Sequence, residues 1–292
     1  MDWFVPCNIH HYDVFKAFSE LKRVNWRQTA EHIREGDTAY IYVTKPYSAI
    51  SLKCRVVRAN LKPAEALIDD SDYALIQDQS TPYARYMELE AVGEYADPAL
   101  ALYQLEKNGL THTRSIHAVS PQLSDYLAKV TDRLVREADL AEDAALLQSV
   151  NQTSAGPAGP FAYQGKPREK LPPKVRNGQR IYVRDRQRSL NSLAHANYLC
   201  EIDPGHPTFT RKNWDKPYTE PHHLLPLSFS DQFSVSLDVE ENIVSLCSNC
   251  HNRIHYGKDA DVLLRQLYSA RKDLLEQAGI VISLDELLRM YR

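Results

Sequence analysis

The 292-residue chain has no apolar run approaching the ~20 residues that a membrane helix needs, so no membrane partner is expected. Its first residues, MDWFVPCNIHHYDVFK, lack a basic region followed by an apolar stretch. No secretory signal is read there, and a cytoplasmic protein is expected. Five cysteines cannot all pair, and in a reducing compartment a disulfide framework is excluded. There is no internal repeat and no long low-complexity tract, which excludes repeat architectures. A net charge of -3 lacks the positive excess of a non-specific nucleic-acid binder.

What remains is an ordinary globular composition, 43% hydrophobic and 25% charged, long enough for two domains with a core each. Three parts are expected: residues 1–147, a flexible basic linker over 148–180, and residues 181–292. The linker is rich in Pro, Gly, Ser and Gln. Between Lys166 and Arg188, nine basic residues oppose only Glu169 and Asp185. This segment is either a solvated linker or, beside a nuclease, a strip that tracks phosphates. Cys7 and Cys54, isolated in the first part, read as small buried apolar residues.

The first part alternates strand-like segments (2–5, 38–43, 50–57, 85–92) with helix-like ones (13–21, 97–107, 124–148), which predicts a mixed α+β domain with a curved or barrel-like sheet. Along 38–43, Tyr40 and Tyr42 point one way and Ile41 and Val43 the other, so one set is expected to be core. In the last part, helices are expected over 184–198, 259–277 and 283–290, the last opened by a Ser283–Glu286 capping box.

Chemistry concentrates in Cys247-Ser-Asn-Cys-His-Asn-Arg-Ile-His255. Cys247 and Cys250 have zinc-knuckle spacing. Cys200 is the obvious third ligand. His206 is the candidate fourth, with Asp203 a weaker oxygen donor. A redox CxxC is disfavoured because no βαβ context surrounds it. His251 and His255, four apart, share one helix face and are able to hold a second metal. The competing reading gives His251 to the zinc and leaves no catalytic ion. Upstream, Glu220-Pro-His-His223 places adjacent imidazoles on opposite sides of an extended segment, one free to ligate and one to act as a base.

Residues 198–256, YLCEIDPGH…YTEPHHLLPL…EENIVSLCSNCHNRIHYG, resemble an HNH endonuclease of the ββα-metal type with a zinc knuckle. The resemblance implies His223 as general base, and His222, His251 and His255 around a catalytic divalent ion (Mg²⁺, Mn²⁺, Ni²⁺, Co²⁺ or Zn²⁺). It further implies a structural Zn²⁺ on the thiol cluster, and Asn242 holding the motif's loop against the histidine strand. Glu220 is the candidate partner that orients an imidazole.

Residues 1 to about 130 resemble an EVE domain of the PUA-like class, on Trp3, Trp26-Arg27 and the GDTAYIYVTKPY strand. That resemblance implies a barrel-like domain that accepts a flipped, modified base. Trp3, Trp26 and Tyr47 are the candidate walls. Arg27, Gln28 and Asn8 are the candidate polar contacts. The alternative for Trp3 and Trp26 is plain core. Together the resemblances imply a modification-dependent restriction endonuclease acting on double-stranded DNA with 5-methylcytosine or 5-hydroxymethylcytosine, in phage defence. Two alternatives remain open: a reader of unmodified nucleic acid or of a partner, and a non-catalytic DNA-binding scaffold. A double-strand cut with one site per chain favours a homodimer.

Overall fold

The computed structural model describes residues 1–76, 84–153, 161–176 and 179–291. It divides into two compact units, Met1–Leu134 with Val175–Arg180, and Val135–Lys174 with Ile181–Arg292. The architecture is mixed α+β.

The first unit contains β1 (Asp2–Cys7), α1 (Val14–Leu21), β2 (Arg23–Arg27), β3 (Thr38–Val43), β4 (Ala49–Leu61), β5 (Tyr86–Glu94), α2 (Leu102–Lys107), β6 (His117–Ala118) and the start of α3 (Pro121–Asn151). The six strands form one sheet in the order β2-β5-β4-β3-β1-β6, antiparallel except for the β1–β3 pair. Register shifts in the β3–β4 and β4–β5 ladders supply the bends that curve such a sheet. Strand β2 was not expected. Its mixed burial leaves no clean alternation to read.

Both faces of β3 are buried, not one. Ile41 and Val43 join a core with Trp3, Val5, Leu52 and Met87. Tyr40 and Tyr42 join a second core with Phe4, Leu123, Leu127, Val130 and Leu134. The leucines of α3 cover the face that a lone sheet would leave to water. Cys7 and Cys54 are buried as expected, and burial pushes both thiols up, Cys7 to about 12.

The expected boundary at residue 147 falls elsewhere, inside α3. Its early leucines belong to the first unit, whereas Leu146 and Val150 pack with Leu190, Leu193 and Tyr198 of the second. A short ribbon, β7 (Lys174–Arg176) with β8 (Gln179–Ile181), follows. Residues 154–160 and 177–178 of the expected linker lie outside the described residues.

The described stretch 161–170 is not free chain. Glu169 bridges to Val235, Arg168 pairs with Glu240 at 2.8 Å, and the Lys170 ammonium donates to the carbonyls of Ser230 and Phe233. Arg184 pairs with Asp139 and Asp143, and Arg188 with Asp238. These four cations are therefore committed to carboxylates and carbonyls within the unit and are not free to track phosphates. Proline- and glycine-rich composition speaks against regular structure, not against docking onto a neighbouring surface.

The second unit continues with α4 (Arg186–His195), β9 (Glu220–His223), β10 (Ile243–Leu246), α5 (Ser248–Tyr256), α6 (Ala260–Gln277) and α7 (Leu284–Met290). Strands β9 and β10 pair antiparallel, with His223 opposite Ile243 and Glu220 opposite Leu246. Helix α5 starts one residue after β10, so strand, strand and helix form one continuous device. Leu263, Leu264, Leu267 and Leu275 of α6 close its core together with Leu287 and Leu288 of α7. The Ser283–Glu286 capping box opens α7 as expected.

Candidate active site and metal centres

All four residues of β9, Glu-Pro-His-His, are buried. Buried polar groups need partners, so the surroundings of this strand are dictated by what it carries. Strand alternation sends Glu220 and His222 towards α5 and His223 away from it.

At the start of α5, Cys247, Cys250, Cys200 and His206 place one donor atom each within 4.8 Å of all the others. Two left-handed residues, Asn197 and Tyr198, turn the chain from α4 into the loop that carries Cys200. His206 Nδ1 lies 3.6 Å from the Cys247 sulfur and 3.4 Å from that of Cys250. Around a tetrahedral zinc with ordinary bond lengths, that edge measures about 3.6 Å. Burial works to raise the Cys200 thiol, but backbone N–H groups of Cys247, Asp203 and Ile202 bring it down to about 7. Burial and the neighbouring Cys200 push Cys250 up. Three buried thiols and one imidazole gathered around one point are a donor set that fits a closed metal site. Asp203 stays outside it, its carboxylate shaping the turn by accepting from the Gly205 N–H at 2.8 Å.

One turn further along α5, His251 and His255 meet His222, with one nitrogen each within 4.8 Å of the others. The hydrogen bonds fix which nitrogens hold protons. Glu220 is 2.5 Å from His251 Nδ1 and also accepts from the Ser248 hydroxyl at 2.8 Å. Burial works to raise the Glu220 carboxyl, but these bonds hold it below its ordinary value. A carboxylate only accepts, so His251 donates from Nδ1 and keeps a lone pair on Nε2. That Nε2 lies 3.2 Å from Nε2 of His255.

The Tyr291 hydroxyl, with one proton, donates towards the carbonyls of His223 and Leu224. It therefore accepts from His222 Nε2 at 2.9 Å, which leaves the buried His222 Nδ1 without a partner among the described residues. Burial, with His251 alongside, pushes His222 well down and His255 to about 4, so both are neutral and able to ligate. Three imidazoles with unused lone pairs fit a divalent cation.

His223 faces the other way. Its Nε2 is 2.9 Å from Asp238 Oδ1, and its Nδ1 is buried without a partner among the described residues. Burial works to raise the Asp238 carboxyl, but the bonds from His223, the Asp185 N–H and Arg188 hold it below the usual range. A cavity of about 90 Å³ is lined by His222, His223, His255, Tyr291 and the α3 carboxylates Asp139 and Asp143. Asn242, wholly buried, donates to the carbonyls of Leu225 and Leu237 and accepts from the Leu225 N–H. It ties the 224–242 connection to the strand pair and touches no reacting group. Asp238 and Tyr291 were not found from the sequence; neither belongs to a spaced motif.

In the first unit, two base-binding candidates are committed to the fold. Trp3 is 4% exposed, packed in the core, with its indole N–H on Asp37 at 2.8 Å. Gln28 is buried, donating to the Ala30 carbonyl and Asn60 Oδ1 and accepting from the Asn60 N–H. Neither offers a wall or a free edge to a base. Trp26 is half-buried, edge-on to Tyr12 at 5.7 Å, and Tyr47 is exposed against Phe15 at 5.0 Å. Asn8 and Arg27 are exposed, with the Asn8 side chain accepting from the His10 N–H.

Residues 210–257 match the HNH endonuclease family. Over 97 residues the chain is 37% identical to the type IV methyl-directed restriction enzyme EcoKMcrA of Escherichia coli (strain K12). That match covers 33% of this chain, which spans only 33% of that relative's length. Among solved structures, ASCH from Zymomonas mobilis is similar at a TM-score of 0.32 and 12% identity, over 44% of this chain and 94% of that one. The phosphorothioation-dependent restriction endonuclease ScoMcrA is similar at 0.27 and 17%, over 84% of this chain and 47% of that one. Likenesses this distant say nothing about substrate. No described helix is long and apolar enough to cross a membrane. The strand pair, the helix and the matched family together make residues 210–257 an HNH endonuclease domain.

Proposed function

We propose that the protein is a modification-dependent DNA endonuclease acting in the cytoplasm, where reduced thiols can ligate zinc. The observation that carries the nuclease is the pairing of three imidazole lone pairs with a fourth imidazole, His223, whose Nδ1 has no partner among the described residues. His223 Nδ1 takes a proton from water as the oxygen attacks phosphorus. The P–O3′ bond breaks, and the leaving oxygen is protonated from solvent. His222, His251 and His255 would hold a divalent ion, which supplies charge neutralisation at the phosphate and the leaving oxygen. Glu220 orients His251, and Asn242 holds the loop. Cys200, His206, Cys247 and Cys250 would hold a structural Zn²⁺ that fixes the start of α5.

The substrate is double-stranded DNA carrying a modified cytosine. The methyl-directed activity in the name of the E. coli relative supports this reading. The aromatic side chains left open to a flipped base are Trp26, edge-on to Tyr12, and Tyr47, with Arg27 and Asn8 as the candidate polar contacts. Cutting both strands calls for two copies, one site to each strand.

The test is cleavage of one DNA in four versions, carrying cytosine, 5-methylcytosine, 5-hydroxymethylcytosine or glucosylated cytosine, with Mg²⁺, Mn²⁺, Ni²⁺ or Co²⁺. Cutting confined to a modified version is expected, with Trp26→Ala lowering the preference and not the rate of the cut. Equal cutting of all four removes the modified-base reading and keeps the nuclease. No cutting with any metal removes the nuclease.

A further inference from the structure

We propose that Asp238 is a positioning residue for His223: its carboxylate holds the imidazole in the tautomer that leaves Nδ1 free to accept a proton. The inference rests on the nuclease reading above and names a residue outside the spaced motif. Asp238 and His223 lie 15 positions apart and meet through the long connection between β9 and β10. Asp238 Oδ1 sits 2.9 Å from His223 Nε2. The other oxygen, Oδ2, receives the Asp185 N–H at 2.9 Å and the Arg188 guanidinium at 3.1 Å. The Asp238 N–H in turn donates to the Ser236 hydroxyl at 3.2 Å. The carboxylate is therefore clamped on one side and presents a single acceptor on the other.

An acceptor facing Nε2 requires the proton on Nε2. Nδ1 then carries the lone pair. It is buried, and no described residue uses it. An imidazole whose job was packing would have no need of a charged partner on one nitrogen and nothing on the other, since burying a polar atom unpaired is costly. The same division of labour, a buried carboxylate holding a histidine tautomer for a base, operates in the serine protease triad.

The clamp makes Asp238→Asn more informative than a deletion. The two donors at the Oδ2 position both need an acceptor, so the amide oxygen goes there. The amide NH₂ is left facing His223 Nε2, which must now accept. The proton moves to Nδ1, and the base is blocked while the packing stays intact. In Asp238→Ala nothing faces Nε2, and both tautomers are open.

The experiment compares wild type, Asp238→Asn and Asp238→Ala in the full chain with zinc bound. Kinetics on a cleavable DNA are read beside nitrogen-15 spectra of labelled histidines, with His223 assigned by His223→Ala. The expected result is a fall in kcat of about a hundred-fold or more for Asn, KM within about three-fold, and a smaller loss for Ala. The nitrogen-15 signature of His223 changes from Nε2-protonated in wild type to Nδ1-protonated in Asn. A merely structural Asp238 gives the reverse order, with Asn close to wild type and Ala the most damaged. That order, or an Asn variant whose His223 keeps its Nε2 proton, overturns the proposal. If wild type cuts no DNA, the nuclease reading fails, and the nitrogen-15 signature alone decides whether Asp238 sets the tautomer.

Discussion

Helix α5 and its N-cap Cys247 supply two donors to each of two clusters, and the clusters differ in how they are closed. Its start brings Cys247 and Cys250 to Cys200 and His206, four donors from protein alone. Its next turn brings His251 and His255 to His222, three donors beside a cavity that His222 and His255 help to line. A closed set of four is the pattern of a structural ion; three donors with room beside them is the pattern of a catalytic one. A nine-residue helix is too short to hold its own shape in water. Fixing its first turn with the thiols lets the second turn aim its imidazoles.

The most severe way to break this comparison is to open the closed cluster. Cys247→Ser removes one of four ligands whose ion contributes on the order of 10 kcal/mol to folding. We expect the second unit to lose its cooperative melting and its amide-exchange protection across β9, β10 and α5. A strong chelator should do the same to wild type. Cys247→Ser that melts like wild type would show the thiol cluster to be ornamental.

Next comes the base. His223→Ala should lower kcat by about 10²–10⁴-fold and leave DNA affinity intact. Asp238 keeps its bonds from the Asp185 N–H and Arg188 but loses the donor on Oδ1, so the melting temperature should fall while the unit still melts cooperatively. A variant that cuts at the wild-type rate assigns the base elsewhere.

The open cluster gives a smaller effect. Glu220→Gln replaces the acceptor on His251 Nδ1 by a group that can donate to it. We expect catalytic-metal affinity to fall about 10–100-fold, read by titration with Co²⁺ or Mn²⁺, with zinc content unchanged. Zinc lost in step with the second metal would merge the two clusters into one.

The two donor clusters were legible because helical geometry fixes what CxxC and HxxxH spacings can reach, and strand alternation splits His222 from His223. Asp238 and Tyr291 were not legible. Tyr291 meets His222 across 69 positions, a distance no local pattern encodes. The first unit shows the same limit. Trp3 lies on β1, between β3 and β6, and is buried by strands far along the chain, whereas Trp26 lies on the edge strand β2 and stays half open. In the sequence each is a lone tryptophan that reads equally as core or as a pocket wall. The basic run 166–188 misled for a related reason. The carboxylates that pair most closely with Arg168, Arg184 and Arg188, namely Glu240, Asp139, Asp143 and Asp238, lie outside the run.

The smallest expected effect probes the seam between the clusters. Ser248 sits between the two thiol ligands in sequence, yet its hydroxyl serves the other cluster, donating to Glu220 Oε1 at 2.8 Å. Glu220 then has one oxygen on Ser248 and one on His251, so the hydroxyl helps to hold the carboxylate in line with the ring. Ser248→Ala removes that bond and leaves every ligand in place. Alanine is a good helix former at the first position of α5, so the helix itself should not suffer. A hydrogen bond to a charged group contributes about 1.5–3 kcal/mol, but only the fraction that orients His251 reaches the metal. We therefore expect a loss of roughly three- to ten-fold in catalytic-metal affinity, below that of Glu220→Gln, with zinc content and melting temperature unchanged. A loss equal to that of Glu220→Gln would mean that Glu220 acts only when Ser248 holds it. No loss at all would mean that the His251 bond alone fixes the carboxylate, and that the two clusters share a helix but no hydrogen-bonded link.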